Sequence, residues 1–69
     1  MTPGITNKIF TMRAKASVTQ EEVARATGVT RQTIIAIEKG NYTPSVALAL
    51  KLARYFKVPV EELFTYHEK

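Results

Sequence analysis

Two threonines, Thr19 and Thr30, set most of the constraints on how this chain can fold. The first opens "TQEE" and the second opens "TRQT", with Gly28 shortly before the second. Thr19 can accept a hydrogen bond from the backbone N–H of Glu22 while the Glu22 side chain accepts one from the Thr19 N–H, a reciprocal pair that starts a helix. Gly28 suits the left-handed position that ends one. Thr30 caps the next helix, and Gly40 ends it in the same way. The window therefore predicts two short helices, from Thr19 to about Ala26 and from Thr30 to about Lys39, joined by a tight turn. Ala24 is small where the two must cross closely. Val23, Val29, Ile34 and Ile37 are the apolar positions by which the pair packs on the rest of the domain. The unit is a helix-turn-helix over about residues 19–39.

The remaining chain supplies the body that this unit needs. A length of 69 residues allows one domain, and without cysteine neither a disulfide nor a thiolate zinc site can support it. A first helix is predicted over Thr6 to Lys15, with Ile9, Met12 and Ala16 on one face and Phe10 off it. A fourth runs from a Thr43 or Ser45 cap to about Phe56. It is apolar nearly all round, with Val46, Ala49, Leu50, Ala53 and Phe56 as its main stripe and Leu48 and Leu52 beside it. Such a helix is central in its domain; its polar face is too narrow for a basic membrane-surface helix. Pro59 stops or restarts the chain, "VEELF" forms a last short helix, and "TYHEK" is a tail. No β-branched alternation occurs, so strands are not expected outside that tail. The fold class is all-α.

Charge narrows the function. Ten Lys and Arg stand against six acidic residues, all Glu, for a net charge of +4. A small basic domain points to an anionic partner, nucleic acid first, although charge alone fits a generic basic protein equally well. "MTPGITNK" has no apolar signal segment, and the longest apolar run, Val46–Leu50, is far short of the ~20 residues of a membrane span. These absences predict a cytoplasmic protein with no membrane partner. An enzyme is not expected. Asp and Cys are absent, and the one histidine, His67, lies in the tail, where a solvated role outweighs a catalytic or metal-binding one. Glu21–Glu22 and Glu61–Glu62 are helix-start carboxylates, and neighbours on a helix diverge too far to act as an acid–base pair. No metal site, cofactor or small-molecule effector is indicated.

"TQEEVARATGVTRQTIIAIEKGNYTPSVALALKLARYFKVPVEELF" resembles the Xre/Cro-type helix-turn-helix transcriptional regulators, especially their short free-standing members. The resemblance covers about residues 7–64. Its most specific pieces are Val18–Ala24, Gly28–Ile35, the Ile37–Gly40 stretch and Pro44–Ala53. It implies a compact five-helix bundle of the lambda repressor-like DNA-binding kind over residues 6–64, with a flexible arm at 1–5 and a tail at 65–69. It also implies a nucleoid-associated, repressor-like and usually dimeric regulator, whose third helix enters the major groove of double-stranded DNA.

Residue roles follow from both sources. On a helix that buries Ile34 and Ile37, steps of ~100° leave Gln32, Ile35, Ala36 and Lys39 outward, with Arg31 and Thr33 at the edges. Reading helices contact base edges mainly through their N-terminal residues. Arg31 suits guanine O6 and N7, and Gln32 suits adenine N6 and N7. Arg31, Gln32, Thr33, Ile35 and Ala36 are the base-contact candidates, against the alternative of a merely solvated helix start. Ile35 either touches a thymine methyl or packs along the stems of Arg31 and Lys39. The phosphate-contact candidates are Gln20, Thr30, Lys39, Asn41 and Tyr42, against ordinary loop polarity. The resemblance further implies that Gln20 braces the reading helix and that Arg13 and Glu38 form a partly buried ion pair. Two departures stand out: Thr27 where relatives often have Leu, and Phe10 where they tend to be polar. A homodimer is expected through "VEELFTYHEK", with Phe64 and Tyr66 as anchors, unless Phe64 closes the core. The rival function is a protein-interaction module of the same fold, such as an antitoxin or a bridging-factor-like coactivator.

Overall fold

The structure is a computed structural model that describes residues 4–68. Its elements in chain order are β1 (Ile5–Asn7), α1 (Ile9–Ala16), α2 (Gln20–Thr27), α3 (Arg31–Glu38), α4 (Val46–Phe56), α5 (Val60–Leu63) and β2 (Phe64–Tyr66). The five expected helices are present, so the architecture is the all-α bundle with one small addition.

That addition corrects two expectations. Thr6 does not begin a helix. It lies in β1, which pairs antiparallel with β2 in the register Ile5↔Tyr66, Thr6↔Thr65 and Asn7↔Phe64. The pairing takes Ile5 from the expected arm and Thr65 and Tyr66 from the expected tail. The residues involved are largely β-branched or aromatic, which suits strands, but three residues are too few to display a period of two. The backbone continues the link beyond the strands, with His67 N–H donating to the Gly4 carbonyl and Lys8 N–H to that of Leu63. The His67 ring, exposed, meets the Thr6 hydroxyl at 2.9 Å. Met1, Thr2 and Pro3 of the expected arm lie outside the described residues.

Caps determine where the helices start. The reciprocal pair at α2 forms, with Glu22 N–H donating to Thr19 Oγ1 at 3.0 Å and Thr19 N–H to Glu22 Oε1 at 2.7 Å. Thr30 and Ser45 accept from Thr33 N–H and Leu48 N–H and start α3 and α4. Gly28 ends α2 at φ 77°, a conformation that costs a residue with a Cβ roughly 1–2 kcal/mol.

The core is built from Ile9 of α1, Val23 and Ala24 of α2, Ile34 and Ile37 of α3, Leu48, Leu52 and Ala53 of α4, and Leu63 of α5. Each fully buried aliphatic side chain among them contributes about 1.5–3 kcal/mol. Ala16, expected on the inner face of α1, is exposed. The apolar stripe of α4 also differs from expectation. The helix buries Leu48, Leu52 and Ala53, while Val46 and Leu50 point outward at 76% and 53% exposure. A helix that is apolar on nearly every side has no single inner face in its sequence; the elements packed on it choose one. Thr27 is buried between α2 and its neighbours, and its hydroxyl donates to the Val23 carbonyl at 2.9 Å. The polar group therefore has a partner within its own helix.

Candidate nucleic-acid interface

α3 divides its side chains cleanly. Ile34 and Ile37 are completely buried. Arg31, Gln32 and Lys39 are exposed, and Thr33, Ile35 and Ala36 are half-buried. Gln32, Ile35, Ala36 and Lys39 lie on the side away from Ile34 and Ile37, with Arg31 and Thr33 at its two edges. Among the described residues, neither Arg31 nor Gln32 has a side-chain hydrogen bond or an ion pair, so both heads are free to meet a ligand. Thr30 sits at the foot of the same face, its hydroxyl 3.1 Å from that of Thr33. Asn41 and Tyr42 follow the helix in an exposed loop, Tyr42 at 47% exposure.

The buried side of α3 is anchored by Glu38. Arg13 of α1 grips it in a fork, Nε donating to Oε2 at 2.7 Å and the terminal nitrogen to Oε1 at 3.1 Å. Their side chains are only 14% and 9% exposed. The hydrogen bonds from Arg13 to Glu38 hold the guanidinium above its ordinary pKa range, against the opposing effect of burial. Gln20 of α2 donates its amide to Glu38 Oε1 at 3.1 Å. One amide hydrogen of Gln20 remains available, because the group carries two. Phe10 stacks over the Arg13 guanidinium, 5.4 Å from ring centroid to carbon, a geometry in the cation–π range. The exposed phenylalanine thus covers the ion pair from outside.

A further anchor was not anticipated. The Asn7 amide donates to the Ile37 carbonyl at 2.9 Å, and its oxygen accepts from Ile9 N–H at 3.1 Å. One side chain takes up the N–H of the first residue of α1 and adds a second donor to an α3 carbonyl that also accepts from Gly40 N–H. The available sequence signal was an Asn shortly before the first apolar helical residue. The expected dimer anchors lie elsewhere, in β2. Phe64 is half-buried and packs on the core, whereas Tyr66 is 70% exposed.

This arrangement can be compared with known proteins. A family profile described as "Helix-turn-helix" matches residues 9–63. The chain belongs to the Xre/Cro-type helix-turn-helix family. An HTH-type transcriptional regulator of Methanocaldococcus jannaschii is 52% identical over 62 residues, covering 90% of this chain and 94% of that protein. The cryptic phage CTXphi transcriptional repressor RstR of Vibrio cholerae is 39% identical over 62 residues, covering 90% of this chain and 56% of RstR. Among solved structures, the restriction-modification controller protein C.AhdI of Aeromonas hydrophila superposes with a TM-score of 0.75 at 25% identity, covering 80% of this chain and 83% of that one. Family membership makes the chain a DNA-binding transcriptional regulator with a lambda repressor-like fold. Among the described residues no His, Cys, Asp and Glu side chains gather to hold a metal ion, and no helix is long and apolar enough to cross a membrane.

Proposed function

We propose that the protein is a sequence-specific repressor that binds a palindromic operator as a homodimer and reads the major groove with α3. The observation that carries this reading is the unpaired, exposed start of α3, where Arg31 and Gln32 project while Ile34 and Ile37 lock the opposite side into the core. Arg31 recognises guanine through its fork and Gln32 recognises adenine. Thr33, Ile35 and Ala36 complete the base-facing surface, Ile35 against a thymine methyl. Gln20, Thr30, Lys39, Asn41 and Tyr42 hold phosphates on either side and fix the register. Repression is supported by the likeness to RstR. A single helix of this length reads few base pairs, so a two-fold dimer on half-sites about 34 Å apart supplies the specificity.

The test is selection of bound sequences from a random duplex pool. A consensus with two inverted half-sites about one helical turn apart is expected. Failure to bind any duplex at low salt removes the repressor reading and moves the function to a protein partner. A consensus without inverted symmetry removes the dimer alone.

A further inference from the structure

Phe10 lies on α1 with 65% of its surface exposed, and it takes no part in the core. A lone aromatic side chain in solvent is ordinary, but this one has a defined contact. Phe10 and Arg13 stand three apart on α1 and share a face of the helix. The guanidinium carbon lies over the Phe10 ring, 5.4 Å from its centroid. Guanidinium donors lie in one plane, so the hydrogen bonds of Arg13 occupy its edge and leave its faces for the ring. The ring quadrupole attracts the cation, and a ring in this place also keeps water from the bonds at the edge.

Those bonds reach both helices of the motif. Nε and Nη2 donate to Glu38 of α3. Nη1 donates to the Val18 carbonyl at 3.3 Å, immediately before the Thr19 cap of α2. The Glu38 oxygen that accepts from Nη2 is Oε1, and the same oxygen accepts from the Gln20 amide at 3.1 Å. Gln20 is the first residue of α2 and is half-buried. The direction of its amide therefore depends on where Oε1 sits, and Oε1 follows the guanidinium. The guanidinium is fixed at its edge by Glu38 and Val18 and on its face by Phe10. With the ring gone, water competes for the bond between Nη2 and Oε1, and the Gln20 amide loses its single aim.

We infer that Phe10 is a positioning residue for DNA binding: it holds Arg13, and through Glu38 it directs the remaining amide hydrogen of Gln20 toward a phosphate. The inference rests on the reading of Gln20 as a phosphate contact and supplies what keeps that contact aimed. Phe10 itself touches no DNA in this arrangement. A neutral amide neutralises no phosphate charge, so Phe10 acts on affinity and leaves the salt dependence of binding as it is.

The test is the affinity of four full-length chains for the duplex selected from the random pool: wild type, Phe10→Ala, Gln20→Ala and the double variant. Phe10→Ala should weaken binding about two- to fivefold, the range of an aromatic–cation contact, at an unchanged salt slope. Gln20→Ala should weaken it at least as much. In the Gln20→Ala background, Phe10→Ala should add no further loss, because the two act as one unit. Phe10→Tyr keeps the ring face and should bind like the wild type. The Arg13 Nε–H, followed by nuclear magnetic resonance, should exchange with water faster in Phe10→Ala. Phe10 lies outside the core, and circular dichroism melting checks that each chain is folded at the temperature of the titration. A role in stability alone would lower the melting temperature without cancelling in the double variant. Losses that add in the double variant, or a Phe10→Ala chain that binds like the wild type, overturn the role of Phe10 while the phosphate contact of Gln20 stands. A Gln20→Ala chain that binds like the wild type, or a wild type that binds no duplex, overturns the phosphate contact and the inference with it.

Discussion

Glu38 accepts from Arg13 of α1 and from Gln20 of α2, so one carboxylate ties α3 to two other elements. Removing it leaves a guanidinium largely shut away from water without its counter-charge. Such one-sided loss costs about 3–5 kcal/mol in a fully buried pair and less where some exposure remains, as here. Glu38→Ala should therefore lower stability by about 2–3 kcal/mol in a urea titration, with DNA affinity falling as a consequence; an unchanged midpoint would show that the pair holds nothing. Arg31 and Ile35 are the proposed base contacts of the same helix. Arg31→Ala should weaken operator binding by roughly 1–3 kcal/mol and relax the preference for guanine at a single position. Ile35→Ser should alter the selected sequence only at a thymine. If the consensus is the same for both chains, Ile35 packs along its own helix and reads nothing. The pairing of Arg13 with Glu38 is not visible in composition or periodicity. The two stand 25 positions apart, and it was the resemblance to a family that coupled them.

The elements differ in how openly their sequence announces them. α2 and α3 carry their own starts and stops, because a Thr cap and a Gly end are local chemistry. Their inner faces are equally plain, since Val23, Ile34 and Ile37 recur at helical spacing. α4 is different: Val46, Leu48, Leu50 and Leu52 are all apolar, so only contact with α2 and α5 selects Leu48 and Leu52 for burial. The β1–β2 pair was illegible for another reason. Its strands lie at opposite ends of the chain, and each is three residues long. Asn7 links this sheet to both α1 and α3. Asn7→Ala leaves Ile9 N–H without its acceptor and removes one of the two donors to the Ile37 carbonyl, which keeps Gly40 N–H, and should cost about 1 kcal/mol. Hydrogen exchange would locate the effect, with faster exchange at the first turn of α1; a uniform loss of protection across the chain would instead mean that Asn7 acts on global stability alone.

At the scale of the whole molecule, the excess of basic charge acts as a field on DNA rather than as a set of contacts. Binding should weaken steeply with salt, log affinity falling by about 0.9 per log unit of salt for each phosphate neutralised. Lys39 is exposed at the end of α3. Lys39→Gln should flatten that slope by about one per protomer, hence about two for a dimer, and leave the selected consensus intact. A changed consensus would make Lys39 a reader of bases. A flattening of only one would mean that a single protomer engages the duplex.

The sequence by itself determined the helix-turn-helix, its caps and turn, and the division of α3 into a buried and an outward face. These depend on residues within a few positions of one another, where hydrogen-bond reach and the ~100° step leave one solution. The tertiary structure alone decided which side of α4 is buried, that the chain ends join as strands, and that Asn7 fastens α3 from outside the motif. Each of these depends on groups distant in sequence competing for the same space, and no local pattern records the outcome of that competition.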